Sequence, residues 1–220
     1  MAVAVFLVAM NARTEPALPV DAAAPAASAS INSNAPTPSE KPPASPSPLS
    51  STTPTAAPVS TPVDYAGRTR GGGAALAVSV QDNKAVAYLC DGKRTEVWLS
   101  GTAGSDGSLN LTGPDGARLI AQRANGHASG TVHSARTTWT FDLPRTGTTA
   151  LYQATGQAAG KRLRAGWVVL PDGSQTGIVT RSGKPFGPAP RLNAATGSVV
   201  VDGIILRATA VTGQSSLAAH

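Results

Sequence analysis

Between residues 74 and 143 a turn signal recurs roughly every ten residues: Asp82-Asn83, Asp91-Gly92, Asp106-Gly107, Pro114-Asp115-Gly116 and Asn125-Gly126. The runs between them, 74–80, 84–90, 95–100, 108–112, 118–122, 130–133 and 137–143, read as short strands. Connections this short cannot carry a parallel crossover, which needs a dozen or more residues. An antiparallel meander is therefore expected. Its clearest unit is AVAYLCDGKRTEVWL (85–99), two arms joined at Asp91-Gly92, where a type I′ turn with φ > 0 at both central residues is expected. Trp139, Phe141 and Leu143 alternate with Thr138, Thr140 and Asp142, as a strand with one wet face does. No window carries a helical period.

The stretch PRTGTT (144–149) interrupts the meander, and a second set of runs follows at 150–155, 163–170, 177–180, 197–201 and 204–208. Asp202-Gly203 makes a hairpin of the last two. KPFGPAPR (184–191) reads as a loop, because repeated proline cannot sit in a central strand. A sheet this long must curl into a barrel or split into a sandwich. The expected fold is all-β: an antiparallel, barrel-like meander with its last strands packed against it, a sandwich being the alternative.

Composition sets the domain limits. Residues 14–63 are mostly Pro, Ala, Ser and Thr and cannot bury enough apolar surface to offset the entropy of ordering them, so a long disordered linker is expected. Extended at ~3.1 Å per residue, its fifty residues reach on the order of 100 Å. Ser and Thr beside Pro also suit an O-glycosylated stalk. Before it, MAVAVFLVAM is apolar but shorter than the ~20 residues a membrane span needs, with no basic residue ahead of it. Residues 1–13 are read as the end of a signal or anchor segment truncated by start-site choice. The β domain then covers 64–211 and residues 212–220 form a flexible tail. GRTRGGG (67–73) lacks the frame of a phosphate loop and is read as a flexible lead-in.

The residues offer little chemistry for catalysis. No GxSxG elbow is present. His127, His133 and His220 have no carboxylate or cysteine at ligand spacing, so neither a metal nor a cofactor is expected. Glu96 is the lone glutamate after residue 63, and the aspartates are explained by their turns. Cys90, the single cysteine, is read as a small core hydrophobe. Trp98, Trp139 and Trp167 are assigned to the core or to sheet faces; a saccharide platform would need two of them on one exposed face.

Charge says more. From residue 64 onward sixteen Lys and Arg stand against nine Asp and Glu, a balance of about +7. Lys161, Arg162 and Arg164 form the densest cluster and are the candidate ligand-binding residues, with an anionic envelope polymer or lipid as partner. Few aromatics interleave with the basic residues, so nucleic acid is not the expected partner.

With YLCDGKRTEVWLSG, FDLPRTG and GWVVLPDG in view, the domain resembles uncharacterised exported or membrane-anchored actinobacterial proteins with a YxCDG–EAWLxG core after a Pro/Ala/Ser/Thr linker. Tyr88, Cys90, Asp91, Gly92, Glu96, Trp98, Leu99 and Gly101 carry the match, with Val97 where Ala is common. The resemblance implies an extracytoplasmic β domain and supplies no reaction. The expected function is non-enzymatic: a β domain displayed on a stalk, held to the membrane through its N-terminal segment or secreted, that binds or supports a cell-envelope component. A barrel-type carrier of a small molecule or lipid is the alternative, and a hydrolase with an unrecognised site comes third.

Overall fold

The computed structural model describes residues 60–135 and 137–217. The readings of residues 1–13, of the linker up to residue 59 and of His220 lie outside them. Strands β1 (Val63–Arg68), β2 (Ala75–Gln81), β3 (Lys84–Cys90), β4 (Glu96–Ala103), β5 (Ser108–Thr112), β6 (Arg118–Ala124), β7 (His127–His133) and β8 (Thr138–Pro144) form one antiparallel sheet in chain order. This sheet curls until its ends meet. The Arg70 amide donates to Thr140 O at 2.8 Å, the Thr146 amide donates to Asp64 O at 2.8 Å, and Tyr65 bridges Arg145. The first architecture is the expected barrel-like meander.

Strands β9 (Leu151–Ala158), β10 (Lys161–Val169), β11 (Gln175–Arg181), β12 (Lys184–Pro188), β13 (Ser198–Val201) and β14 (Ile204–Ala210) form a second sheet, in the order β12-β11-β10-β9-β14-β13. It lies against the barrel wall. β10 runs across the barrel strands: Arg164 meets Glu96 of β4, and Gly166 lies against Tyr88 of β3 and Trp98 of β4. Its other face carries Leu163, Ala165 and Trp167 into a separate core with Val179, Leu192, Val199 and Leu206.

Alternation explains where the cores sit. Leu76, Leu89, Leu99, Leu109, Leu119 and Phe141 point into the barrel and are fully buried. On the other face of the same strands Ala77, Val86, Tyr88, Cys90 and Trp98 meet Leu151, Val168 and Ile178 of the second sheet. β2 is consequently buried along its whole length. One of its two polar residues, Ser79, donates to Asp64 Oδ1 at 2.5 Å, while Asp64 Oδ2 accepts the Ala150 amide at 2.8 Å. Burial pushes the Asp64 carboxyl up from its usual range, against these two hydrogen bonds. One carboxylate thus ties the closing strand to the start of the second sheet. The inward-pointing side chains of the barrel form one cluster of buried apolar residues.

Four local expectations change. Asp91-Gly92 is not a two-residue turn: β3 stops at Cys90, β4 starts at Glu96, and Asp91 Oδ1 accepts the amides of Lys93, Arg94 and Thr95 at 2.7, 2.9 and 3.0 Å. Partial burial raises this carboxyl, but those three amides outweigh it and hold it below its usual range. The type I′ geometry appears instead at Asn125-Gly126 (φ 51° and 76°) and Asp202-Gly203 (φ 51° and 78°). Residues 184–188 are strand rather than loop; β12 is the sheet's edge, where a missing proline N–H costs no ladder bond. Val63, read as the end of the linker, and Gly67 and Arg68, read as a flexible lead-in, belong with residues 64–66 to β1.

The fourth change concerns residues 212–217, expected as a free tail. They pack back on the barrel: Gly213 lies within van der Waals reach of the Gln81 and Lys84 backbones, and Leu217 joins the inter-sheet core. Gln214 Nε2 donates to Asp82 Oδ2 at 2.9 Å, and Ser60 Oγ donates to Asp82 Oδ1. These two bonds hold the Asp82 carboxyl below its usual range. The chain therefore enters and leaves the domain at the same end of the barrel, beside the β2–β3 turn. The β3–β4, β5–β6 and β7–β8 connections form the opposite mouth.

Candidate functional site

The three basic residues singled out by sequence part company. Lys161 and Arg162 are exposed at the β9–β10 turn. Arg164, two residues on, faces the barrel and is buried, 6% exposed. Its Nη2 donates to Glu96 Oε1 at 3.2 Å, and its guanidinium carbon stands 5.4 Å from the centre of the Trp98 ring. Arg164 thus belongs to the inter-sheet packing and not to the surface cluster, because strand alternation and the barrel wall turn it inward.

Tertiary structure replaces it with residues that spacing could not supply. Leu163 pairs with Arg181 and Arg181 with Lys184, so the β11–β12 turn stands beside the β9–β10 turn. Lys161, Arg162 and Lys184 are all exposed there. Arg181 is bound to Asp202 and lies over the Phe186 ring at 3.7 Å. The tip of the second sheet therefore holds four cations, one of them neutralised. A shallow cleft of about 360 Å³ between the two turns is lined by Gln157, Gly160, Arg162, Ser182 and Gly183.

Beneath the tip lies the buried cluster. Tyr88 stacks on Trp98 with ring centroids 4.1 Å apart, and its hydroxyl donates to Glu96 Oε2 at 3.1 Å. Both Glu96 oxygens are thus engaged, one by Tyr88 and one by Arg164. Cys90 lies beside them, its Sγ 3.5 Å from Thr176 O. Burial pushes its thiol up to about 12. The expected result is that a maleimide at about pH 8 leaves Cys90 unlabelled in the native protein and labels it fully in denaturant. Rapid native labelling would mean that the sheets part there.

Ser, His and Asp do meet, on the exposed wall of β7 and β8. His127 Nδ1 contacts Asp142 Oδ1 at 2.9 Å, and Ser129 Oγ donates to the same oxygen at 2.8 Å. Both hold that carboxyl below its usual range, the serine foremost. The serine is bonded to the acid and not to the imidazole, which is the wrong order for activating a nucleophile. His133 contacts the hydroxyls of Thr131 and Thr138 at 3.2 and 3.0 Å. Among the described residues no three His, Cys, Asp or Glu side chains gather to hold a metal ion. The cross-strand register makes the Ser129–Asp142 pair, and no local signal marks it.

The barrel mouth carries a second concavity. β5 pairs with β4 only from Ser100 to Ala103, and Pro114 has no N–H to extend the ladder. Glu96–Leu99 thus have no β5 partner in the ladder, and a cleft of about 370 Å³ is lined by Glu96, Val97, Pro114 and Asp115 there. Trp139, half-buried, lies on its wall, whereas the Trp98 and Trp167 side chains are sealed in the cores. No two tryptophans therefore share an exposed face, the platform that would need two is not formed, and Trp139 alone is open to a ligand. No protein-family model, curated protein or solved structure matches the chain.

Proposed function

We propose that the protein is a non-enzymatic, extracytoplasmic β domain displayed on a Pro-rich stalk, binding an anionic cell-envelope polymer or lipid through the tip of its second sheet. The observation that carries the reading is the convergence of Lys161, Arg162 and Lys184 at two adjacent turns, with Asp202 already engaged by Arg181. Exposed like charges on neighbouring turns raise the local concentration of a polyanion, and salt weakens the attraction. The stalk reading is supported by the point at which the described chain begins: Ser60 and Gln214 share Asp82, so residue 60 stands at one end of the barrel. Membrane attachment rests on the segment 1–13 with its apolar run MAVAVFLVAM and on the resemblance to exported proteins; among the described residues no helix is long and apolar enough to cross a membrane. The cluster of buried apolar side chains inside the barrel supports surface binding over carriage.

The test is co-sedimentation of the full chain with vesicles of anionic and of zwitterionic lipid, and with a polyphosphodiester polymer, at low and high salt. Lys161→Ala with Arg162→Ala should weaken binding about ten- to thirtyfold at low salt, each cation near an anionic surface contributing about 1 kcal/mol. Unchanged binding in the double variant, or no binding at low salt, would sink the assignment. Cell fractionation with mass spectrometry of the mature N-terminus tests the location. Recovery in the cytosol with Met1 intact would overturn it and reopen nucleic acid as the partner.

A further inference from the structure

We propose that the cleft at the barrel mouth is a saccharide-binding site in which a sugar ring of a neutral glycan lies against Trp139, held by polar groups from three separate turns. The β3–β4 loop supplies Arg94 and Thr95, the β5–β6 turn supplies Asp115, and the β7–β8 connection supplies Ser134 and Thr137. Each is fixed by local chemistry. Asp91 caps the loop that carries Arg94 and Thr95 by accepting both of their amides. Asp115 stands in the left-handed region at φ 53°, in a turn closed by the Ala117 amide on Pro114 O at 2.9 Å. A non-glycine residue there is uncommon, and Asp tolerates it better than most.

The ligand class follows from the balance of these groups. A sugar ring has an apolar C–H face and a belt of hydroxyls that both donate and accept. The cleft answers with an aromatic wall, three hydroxyls, one carboxylate and one guanidinium. Glu96 also borders it, but its oxygens are engaged by Tyr88 and Arg164, so it adds no free charge. Among the described lining residues Arg94 and Asp115 carry opposite charges, whereas the exposed charges of Lys161, Arg162 and Lys184 at the tip of the second sheet are all positive. Its volume, about 370 Å³, lies within the ~300–1,000 Å³ range of small-molecule sites. The mouth is also the end of the barrel remote from Ser60 and Gln214. This site does not depend on the cationic tip, and a failure of that reading leaves it standing.

Saturation-transfer NMR on the full chain tests it with four neutral trisaccharides (maltotriose, cellotriose, mannotriose and N-acetylchitotriose) and an uncharged Gly-Ser-Ala peptide. Transfer to the ring C–H protons of at least one sugar is expected at millimolar concentration. Trp139→Ala should weaken that binding about tenfold, as loss of an aromatic contact of 1–2 kcal/mol implies, and Trp139→Phe should restore part of it. Trp139 also packs on the barrel core, so Asp115→Asn provides a variant that keeps the turn. It should weaken binding with an unchanged melting temperature. Absence of transfer to all four sugars, transfer to the peptide alone, or sugar binding indifferent to both Trp139→Ala and Asp115→Asn would each overturn the proposal.

Discussion

Replacing Arg164 by alanine is expected to destabilise the domain by about 3–5 kcal/mol, more than any other single truncation of a charged residue in it. The guanidinium is 6% exposed and donates to a Glu96 carboxylate that is itself largely shielded, with side-chain exposures of 7% and 10% for the pair. Removing the cation leaves that carboxylate between two sheets with only the Tyr88 hydroxyl as a remaining donor from the described cluster. The loss includes packing, because the Arg164 stem and head also cover Trp98. A paired replacement separates the two contributions. Arg164→Met with Glu96→Leu removes both charges and keeps the volume, and should recover most of the loss, since isosteric apolar replacement of a buried ion pair is often neutral. Urea unfolding followed by the fluorescence of the buried Trp98 and Trp167 reads both variants. A single variant within about 1 kcal/mol of the parent would mean that water reaches Glu96 and that the sheets pack less tightly than described.

Gly166→Ala is the second large effect, and it arises from space alone. A Cβ at residue 166 would stand 2.6 Å from Trp98 Cζ2 and 2.8 Å from Tyr88 Cζ, in a strand whose backbone conformation alanine could otherwise adopt. The two rings are stacked on each other and buried, and Tyr88 cannot swing aside without breaking its bond to Glu96. Overpacking of this kind costs about 1–3 kcal/mol or more. At about 2–4 °C per kcal/mol for a domain of this size, the melting temperature should fall by roughly 5–10 °C. Tyr88→Phe combined with Gly166→Ala should not relieve the clash, because the ring carbons and not the hydroxyl make it. A melting temperature unchanged by Gly166→Ala would refute the close approach of β10 to the barrel wall. Both variants probe the contact that turns a barrel and a sheet into one domain.

Much of the barrel was legible before any coordinates. The runs at 84–90 and 108–112 coincide with β3 and β5, because alternation and short polar turns are properties of adjacent residues. The second set of strands was also separable, since PRTGTT breaks the period. The errors share a cause. Asp91 looked like half of a two-residue turn, but its carboxylate found three amides and made a longer loop. β12 looked like a loop because its prolines were judged as if in a central strand, whereas its neighbour lies on one side only. β1 follows directly on a low-complexity stretch, and composition masked it.

The candidate site shows the same division more sharply. Lys161 and Arg162 were visible as a charge cluster, yet Lys184 joins them only through the β10–β11–β12 pairing, more than twenty residues along the chain. Arg164 looked equivalent to them and is not. Its partner Glu96 lies 68 residues away, on a strand of the other sheet. The Trp139 cleft was beyond sequence reading altogether, because it exists where β5 ends before β4 does and three turns converge.

The chain's own order of residues determined the hairpins, their antiparallel sense, the absence of helical periods and the Pro-rich composition ahead of the domain, all of which depend on interactions within about ten residues of one another. Which face of each strand is wet was decided only in three dimensions. β2 and β3 carry apolar or small residues on both faces, and only the arrival of the second sheet turns the outer face into core. That contact is made by side chains far apart along the chain, and the period of a strand records that a residue alternates without recording what it will meet.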